Sequence, residues 1–150
     1  MQIEFITDRE RALIGQKVDS TAAVVVSSSA KESVSFGSLL VFDDEDPLMS
    51  KIPTAKNQLD KALGIALRQL HSRDYAPKSS IAVMRKGRVW VMAEKYSSPG
   101  DAVYVKFAED GSLHFTSEKT GNALLKGAIF LEKSEGGKVP IEINFYGGAS

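Results

Sequence analysis

The stretch from Met84 to Val105, MRKGRVWVMAEKYSSPGDAVYV, constrains the fold of this chain more than any other. Ile81 and Val83 just before it, then Val89 and Val91, then Val103 and Val105, recur at a spacing of two within each segment. Side chains two apart share one face of a strand, so each segment reads as a β-strand with one buried face. Glycine and proline punctuate the pattern at Lys86-Gly87 and Pro99-Gly100, where the chain is expected to turn. Ile81 to Ala93 therefore reads as a hairpin, and Val103 to Phe107 as the strand after it. No nucleophile–base pair, metal-ligand set or phosphate loop interrupts the stretch. A chain whose clearest pattern is a β-scaffold points to binding or building, not to catalysis.

The rest of the sequence extends the same reading. Ala22 to Val26 is a β-branched run with strand character, and Ser27 to Ser33 is polar and turn-like. Phe36 to Phe42 gives another strand, ending at the acidic run Asp43 to Asp46 and Pro47, after which Met49 to Asn57 reads as loop. Leu59, Leu63, Ala66, Leu67 and Leu70 approach a helical period, but Gly64 weakens a helix by about 1 kcal/mol relative to alanine. The better reading splits that segment into a short helical turn and a strand from Leu63 to Arg68. Leu113 to Phe115 and Ala128 to Glu132 read as strands, with Thr120 to Lys126 as loop or a helical turn between them. In Val139 to Phe145, Ile141, Ile143 and Phe145 alternate with Glu142 and Asn144. Eight or nine short strands separated by glycine turns imply an all-β fold, a small antiparallel barrel or sandwich. Residues 1–17 read as an extended N-terminal arm or edge strand, 18–146 as the β-domain and 147–150 as a tail, with at most one or two short helices.

Composition narrows the function. Nineteen basic residues balance nineteen acidic ones. A dedicated binder of nucleic acid or of anionic membrane carries a basic surplus, so neither partner is expected. The chain has no cysteine, which removes disulfides, thiol catalysis and thiolate metal sites. Its apolar runs are too short to span a bilayer, and the charges of Glu4, Asp8, Arg9, Glu10 and Arg11 do not suit a signal peptide. A cytoplasm-like compartment of synthesis is the expectation.

Four constellations carry possible chemistry. Asp43, Asp44, Glu45 and Asp46 are acidic enough for a hard cation, but consecutive side chains diverge, and calcium loops need spaced, convergent oxygens. A solvated acidic loop or a patch for a basic partner surface is the better reading, and no metal is expected. Arg85, Lys86, Arg88 and Trp90, with Lys78, form a basic cluster with one aromatic, the kind of surface that stacks and neutralises single-stranded nucleic acid. The plainer interpretation is a hairpin whose charges keep the sheet soluble. Trp90 and Met92 lie opposite Val89 and Val91, which implies either a second buried layer or an exposed apolar patch for a protein partner. Only His71 and His114 are available as imidazole bases, and neither sits in a pattern that orients a nucleophile. No cofactor motif is present.

Taken in order, these pieces resemble a family. A Gly15-Gln16 segment is followed by the valine-rich strand and Phe36-Gly37, then by Gly64-Ile65-Ala66-Leu67-Arg68. The VMRKGRVWVMAEKYSSPGDAVYV block comes next, then Gly121-Asn122, Gly127-Ala128-Ile129-Phe130 and the closing Ile141-Glu142-Ile143-Asn144 strand. From about Gly15 to Phe145 this is similar to the structural cement, or capsid decoration, proteins of tailed bacteriophages and prophages. The acidic DDEDP stretch and the loop from Ser72 to Lys78 lie outside the match. The resemblance implies a virion protein without catalysis or cofactor, placed on the capsid exterior after synthesis in the bacterial host. It implies that the protein binds the outside of the assembled head and locks neighbouring major capsid subunits together, acting as a dimer or trimer. Arg85, Lys86, Arg88 and Trp90, with Asp43 to Asp46, are then the expected partner contacts. A single-strand nucleic-acid-binding barrel is the alternative.

Overall fold

The computed structural model describes residues 14–16, 23–46, 48–69, 74–94, 96–108, 113–135 and 137–145. Every regular element among them is a strand except one 3₁₀ helix, Lys56–Lys61. The fold is all-β, as the alternation requires.

One strand organises it. β7, Ser80–Glu94, runs for 15 residues, about 50 Å of extended chain. Its C-terminal half belongs to a closed five-stranded barrel. There it pairs antiparallel with β11 (Gly137–Asn144), β11 with β10 (Ala123–Phe130), β10 with β8 (Ala102–Phe107), and β8 with β9 (Leu113–Thr116). A parallel pairing of β9 back onto Ala93 and Glu94 of β7 closes the ring. The N-terminal half closes a second circuit. β1 (Val24–Ala30) pairs with β7 and with β4 (Met49–Lys51), β4 with β3 (Leu39–Phe42), β3 with β5 (Ala62–Ala66), and β5 with Val83 and Met84. A two-stranded sheet, β2 (Val34–Ser35) with β6 (Asp74–Tyr75), stands apart from both. Closing both circuits on one strand leaves few free sheet edges, the feature through which β proteins aggregate.

The alternation seen in the sequence fills two adjoining cores. Val89 and Val91 of β7, Val103 and Val105 of β8, Phe130 of β10, and Val139, Ile141 and Ile143 of β11 are buried together. Leu40, Leu63, Ile81, Val83 and Tyr75 form the other cluster, where Phe36 meets Tyr75 edge to face at 5.4 Å. Leu39 and Leu40 are neighbours in sequence yet enter different clusters, because successive strand residues face opposite ways. The β3 and β5 layer is thus buried on both faces and joins the two cores.

The expected hairpin turn at Lys86-Gly87 is not there: β7 passes straight through it. Gly87 has φ +139, and a Cβ at this position would meet Ala23 Cβ and Met84 Sδ at 3.0 Å. The glycine answers to close approach where β7 passes from one circuit to the other, not to reversal of the chain. Ser27 to Ser29, read as turn-like, continue β1, paired with Ala82, Ile81 and Ser80. Serine is tolerated there because β1 is only half-buried, and pairing with β7 outweighs local propensity. β4 occupies part of the expected 49–57 loop, β10 begins at Ala123 inside the expected 120–126 loop, and β3 starts at Leu39 instead of Phe36. The split of the 57–70 segment holds, with the 3₁₀ helix followed directly by β5. Pro99-Gly100 is a turn, as expected. The edge strand expected within 3–6, His71 and the 147–150 tail lie outside the described residues.

Candidate functional site

The basic stretch of β7 divides by side-chain fate. Arg85 is half-buried, donating from Nε to the Leu63 carbonyl at 2.9 Å and from Nη2 to the Phe145 carbonyl at 3.1 Å. Its guanidinium lies 5.6 Å from the centre of the Phe42 ring. Arg85 therefore clasps β5 and the end of β11 to β7. Lys86 is exposed, and Arg88 pairs with Glu142 across β11 at 3.1 Å. Trp90 is only 8% exposed, which places this residue itself in a second buried layer. A tryptophan this buried offers no platform for stacking bases, so the nucleic-acid alternative loses its aromatic component. Met92, on the same face, is exposed.

Sequence reasoning gave Gly15 and Gln16 no role beyond their place in the family pattern. Gly15 N–H donates to the Trp90 carbonyl at 2.7 Å, and Trp90 N–H donates to the Gln16 carbonyl at 2.9 Å. Gly15 also accepts from Arg68 N–H at 2.9 Å. This short segment bridges β7 and the chain leaving β5, in the gap between β5 and β9. Nothing in local periodicity marks such a bridge.

The acidic run folds around its own first residue. Asp43 is buried and accepts from Lys31 Nζ at 2.8 Å and from the Asp46 and Glu45 amides at 3.2 and 3.4 Å. Asp44 accepts from Lys51 and Lys61, each at 3.3 Å, and Asp46 accepts from the Leu48 amide at 3.0 Å. Glu45 and Asp46 are exposed. The carboxylates face lysines and amides instead of converging on a point, and the described residues contain no cluster of three His, Asp or Glu suited to a metal ion.

These contacts set a pH dependence. The Lys31 hydrogen bond holds the Asp43 carboxyl below its ordinary value, and the bonds from Lys61 and Lys51 do the same for Asp44. A carboxylate with a depressed folded pKa contributes stability that is complete above its unfolded pKa and lost as pH falls through the folded one. Thermal midpoints measured from about pH 6 down to about pH 2 are expected to fall, and Asp43→Asn to make that fall shallower. An unchanged slope in the variant would remove Asp43 from the account.

His114 lies 4.0 Å from Glu94, whose other oxygen accepts from Lys106 at 2.9 Å. That is a surface charge cluster, not an oriented base. Two surface clefts are formed by the described residues. The larger, about 310 Å³, is lined by Ile14, Phe36, Leu39, Ile52, Met92 and Phe115 among others, and none of its lining groups titrates. The smaller, about 220 Å³, is walled by Val26, Ser27, Ser28, Phe42, Leu48, Leu63 and Arg85. Here the two predicted groups approach each other, since Phe42 precedes the acidic run, Leu48 follows it, and Arg85 comes from the basic stretch.

Two circuits locked on a common strand, with the polar side chains of Arg85, Asp43 and Asp44 engaged in clasps, make a rigid β-scaffold. The comparisons make this particular. The chain belongs to the phage structural cement protein family (E217 gp24/Pam3 gp6), whose sequence profile matches residues 1–144. It is thus a phage structural protein. Its fold is similar to a chain in the capsid of Myoviridae phage XM1, with a TM-score of 0.69 at 16% identity, covering 89% of this chain and 91% of that one. A weaker likeness, TM-score 0.46 at 17% identity, is to the N base of the head fiber gp8.5 of bacteriophage phi29, covering 82% of this chain and 95% of that one. No curated protein matches the chain.

Proposed function

We propose that this protein binds the outer surface of an assembled phage head and cements neighbouring major capsid subunits, without catalysis and without a cofactor. The observation that carries the reading is membership of the structural cement family over residues 1–144. The fold suits the role physically. A head packed with DNA strains the junctions between its subunits, and a clamp across a junction has to resist shear without deforming. Strands closed into two circuits on a shared β7 shear only by breaking whole ladders of backbone hydrogen bonds. A stable interface buries on the order of 1,000 Å² or more. Engaging two subunits at once slows release beyond what either contact achieves alone. Because the clamp binds only the assembled lattice, it stabilises that lattice by mass action.

In this proposal the protein acts as a dimer or trimer on the capsid exterior. Of the eight residues expected at contacts, Lys86, Arg88, Asp44, Glu45 and Asp46 meet the partner from the surface. Asp43 and Trp90 act by holding that surface in shape, and Arg85 does so through its bonds to the Leu63 and Phe145 carbonyls while also facing the smaller cleft. Size-exclusion chromatography with light scattering, on the protein alone and mixed with undecorated heads, tests the whole reading. The expected result is co-elution that saturates at a fixed copy number per capsid subunit, with a raised melting temperature of the heads. A protein that stays monomeric and elutes apart from the heads at micromolar concentration sinks it.

A further inference from the structure

Arg85 is an unusual cation. It is half-buried, and both of its protein acceptors, the Leu63 and Phe145 carbonyls, are neutral. Among the described residues no carboxylate lies within ion-pair distance of it, whereas Asp43, Asp44, Glu94 and Glu142 all have cationic neighbours. A guanidinium has five N–H donors in a planar fork, and two of them are used here. Withdrawing such a charge from water without an opposite charge is costly, and the cost falls when a carboxylate arrives. Arg85 also lines the 220 Å³ cleft, where Phe42, Leu48, Leu63 and Val26 supply apolar wall and Ser27 and Ser28 supply hydroxyls. Leu48 stands 77% exposed at this cleft, an apolar side chain with little to cover it.

We propose that this cleft receives an aspartate or glutamate side chain of a neighbouring capsid subunit, its carboxylate on the free edge of the Arg85 fork and its methylenes against Phe42 and Leu48. The inference rests on the cementing reading and specifies the chemistry of one of its contacts. Charge complementarity selects the occupant. Among the described residues, Arg85 is the only charged one lining the cleft. In the acidic run beside it, Asp43 is paired with Lys31 and Asp44 with Lys51 and Lys61, while Glu45 and Asp46 are exposed. A carboxylate that enters forms charge-assisted, potentially bidentate hydrogen bonds, the geometry arginine is shaped for.

The test is a pair of opposite charges at Leu48, whose exposure lets either be introduced without disturbing the core. Binding to undecorated heads is measured by sedimentation for the wild type, Leu48→Asp and Leu48→Lys, with Arg85→Met as a third variant. An acidic occupant predicts that Leu48→Asp binds roughly fivefold more weakly and that Leu48→Lys binds as well or better. Arg85→Met is expected to bind roughly thirtyfold or more weakly, since it strands the partner's charge. The reverse order at Leu48, weaker with lysine and tighter with aspartate, would show a basic partner drawn to Glu45 and Asp46 and would overturn the proposal. Equal binding by both would overturn it too. Loss of head binding by the wild type itself would sink the cementing reading instead. The cleft is then judged by titrating glutarate while following the Arg85 Nε–H resonance. A saturable shift, diminished in Leu48→Asp, supports a carboxylate site, and no shift refutes it.

Discussion

Replacing Gly64 with alanine is expected to destabilise the protein by about 3 kcal/mol or more, a large effect for one methyl group. A Cβ at Gly64 would fall 2.1 Å from the Met84 carbonyl oxygen and 2.8 Å from its carbonyl carbon. Both are backbone atoms of β7, so no rotamer change relieves the contact. β5 would have to withdraw from β7, yet it is also held on its other side by β3, where Gly64 sits opposite Leu40. Any shift therefore disturbs two ladders and moves Leu63 and Ile65, which are buried in different cores. Gly100→Ala is the control. Nothing lies within 4 Å of the added carbon, and only its φ of +88 opposes the change. That left-handed conformation costs about 1 kcal/mol or slightly more. Urea midpoints at a common slope compare the two, and equal losses would mean that the β5–β7 approach is looser than it stands here.

Gly64 also shows what the sequence disclosed and what it withheld. As a weak spot in a helical pattern it correctly argued for a turn followed by a strand. It gave no hint that the same glycine allows two strands to touch. The β11 pattern of Ile141 and Ile143 against Glu142 was legible because one face meets a core and the other meets solvent. Gly87 misled because a lysine-glycine pair between two alternating runs looks like a hairpin turn, and only the pairing partners on either side reveal a continuous strand. The serines of β1 misled for a related reason, since their strand character comes from β7, more than fifty positions along the chain.

The candidate contacts followed the same rule. Composition and order located the acidic and basic runs, but not which members are spent internally. Asp43 is committed to Lys31, twelve residues earlier, and Arg85 to the carbonyl of Phe145, sixty residues later. Separations of that kind are set by topology, and local spacing carries no trace of them. Trp90 was readable as either buried or exposed because a strand covered on both faces loses the polar alternation that would have distinguished the two.

A shared strand has a consequence for how the molecule fails. Phe130→Ala in the barrel and Leu40→Ala in the second circuit are each expected to cost several kcal/mol, about 3–5 for the phenylalanine and 2–5 for the leucine. Both side chains are fully buried, at 0% exposure. If the circuits were independent, each change would lower one of two transitions and leave the other in place. They are not expected to separate. β7 contributes Val89 and Val91 to one core and Ile81 and Val83 to the other, and β3 sends Leu39 and Leu40 to opposite sides of one layer. Unfolding either circuit strips β7 of partners and exposes one face of the β3 and β5 layer, so the loss spreads. Both variants should therefore show a single transition, coincident by far-UV circular dichroism and tryptophan fluorescence, shifted as a whole. Trp90, in the barrel half of β7, makes the test sharp for Leu40→Ala, whose site lies in the other circuit. Fluorescence that unfolds later than circular dichroism in that variant would mean that the barrel survives alone. It would also mean that shear applied to one circuit of a cementing clamp is not carried into the other.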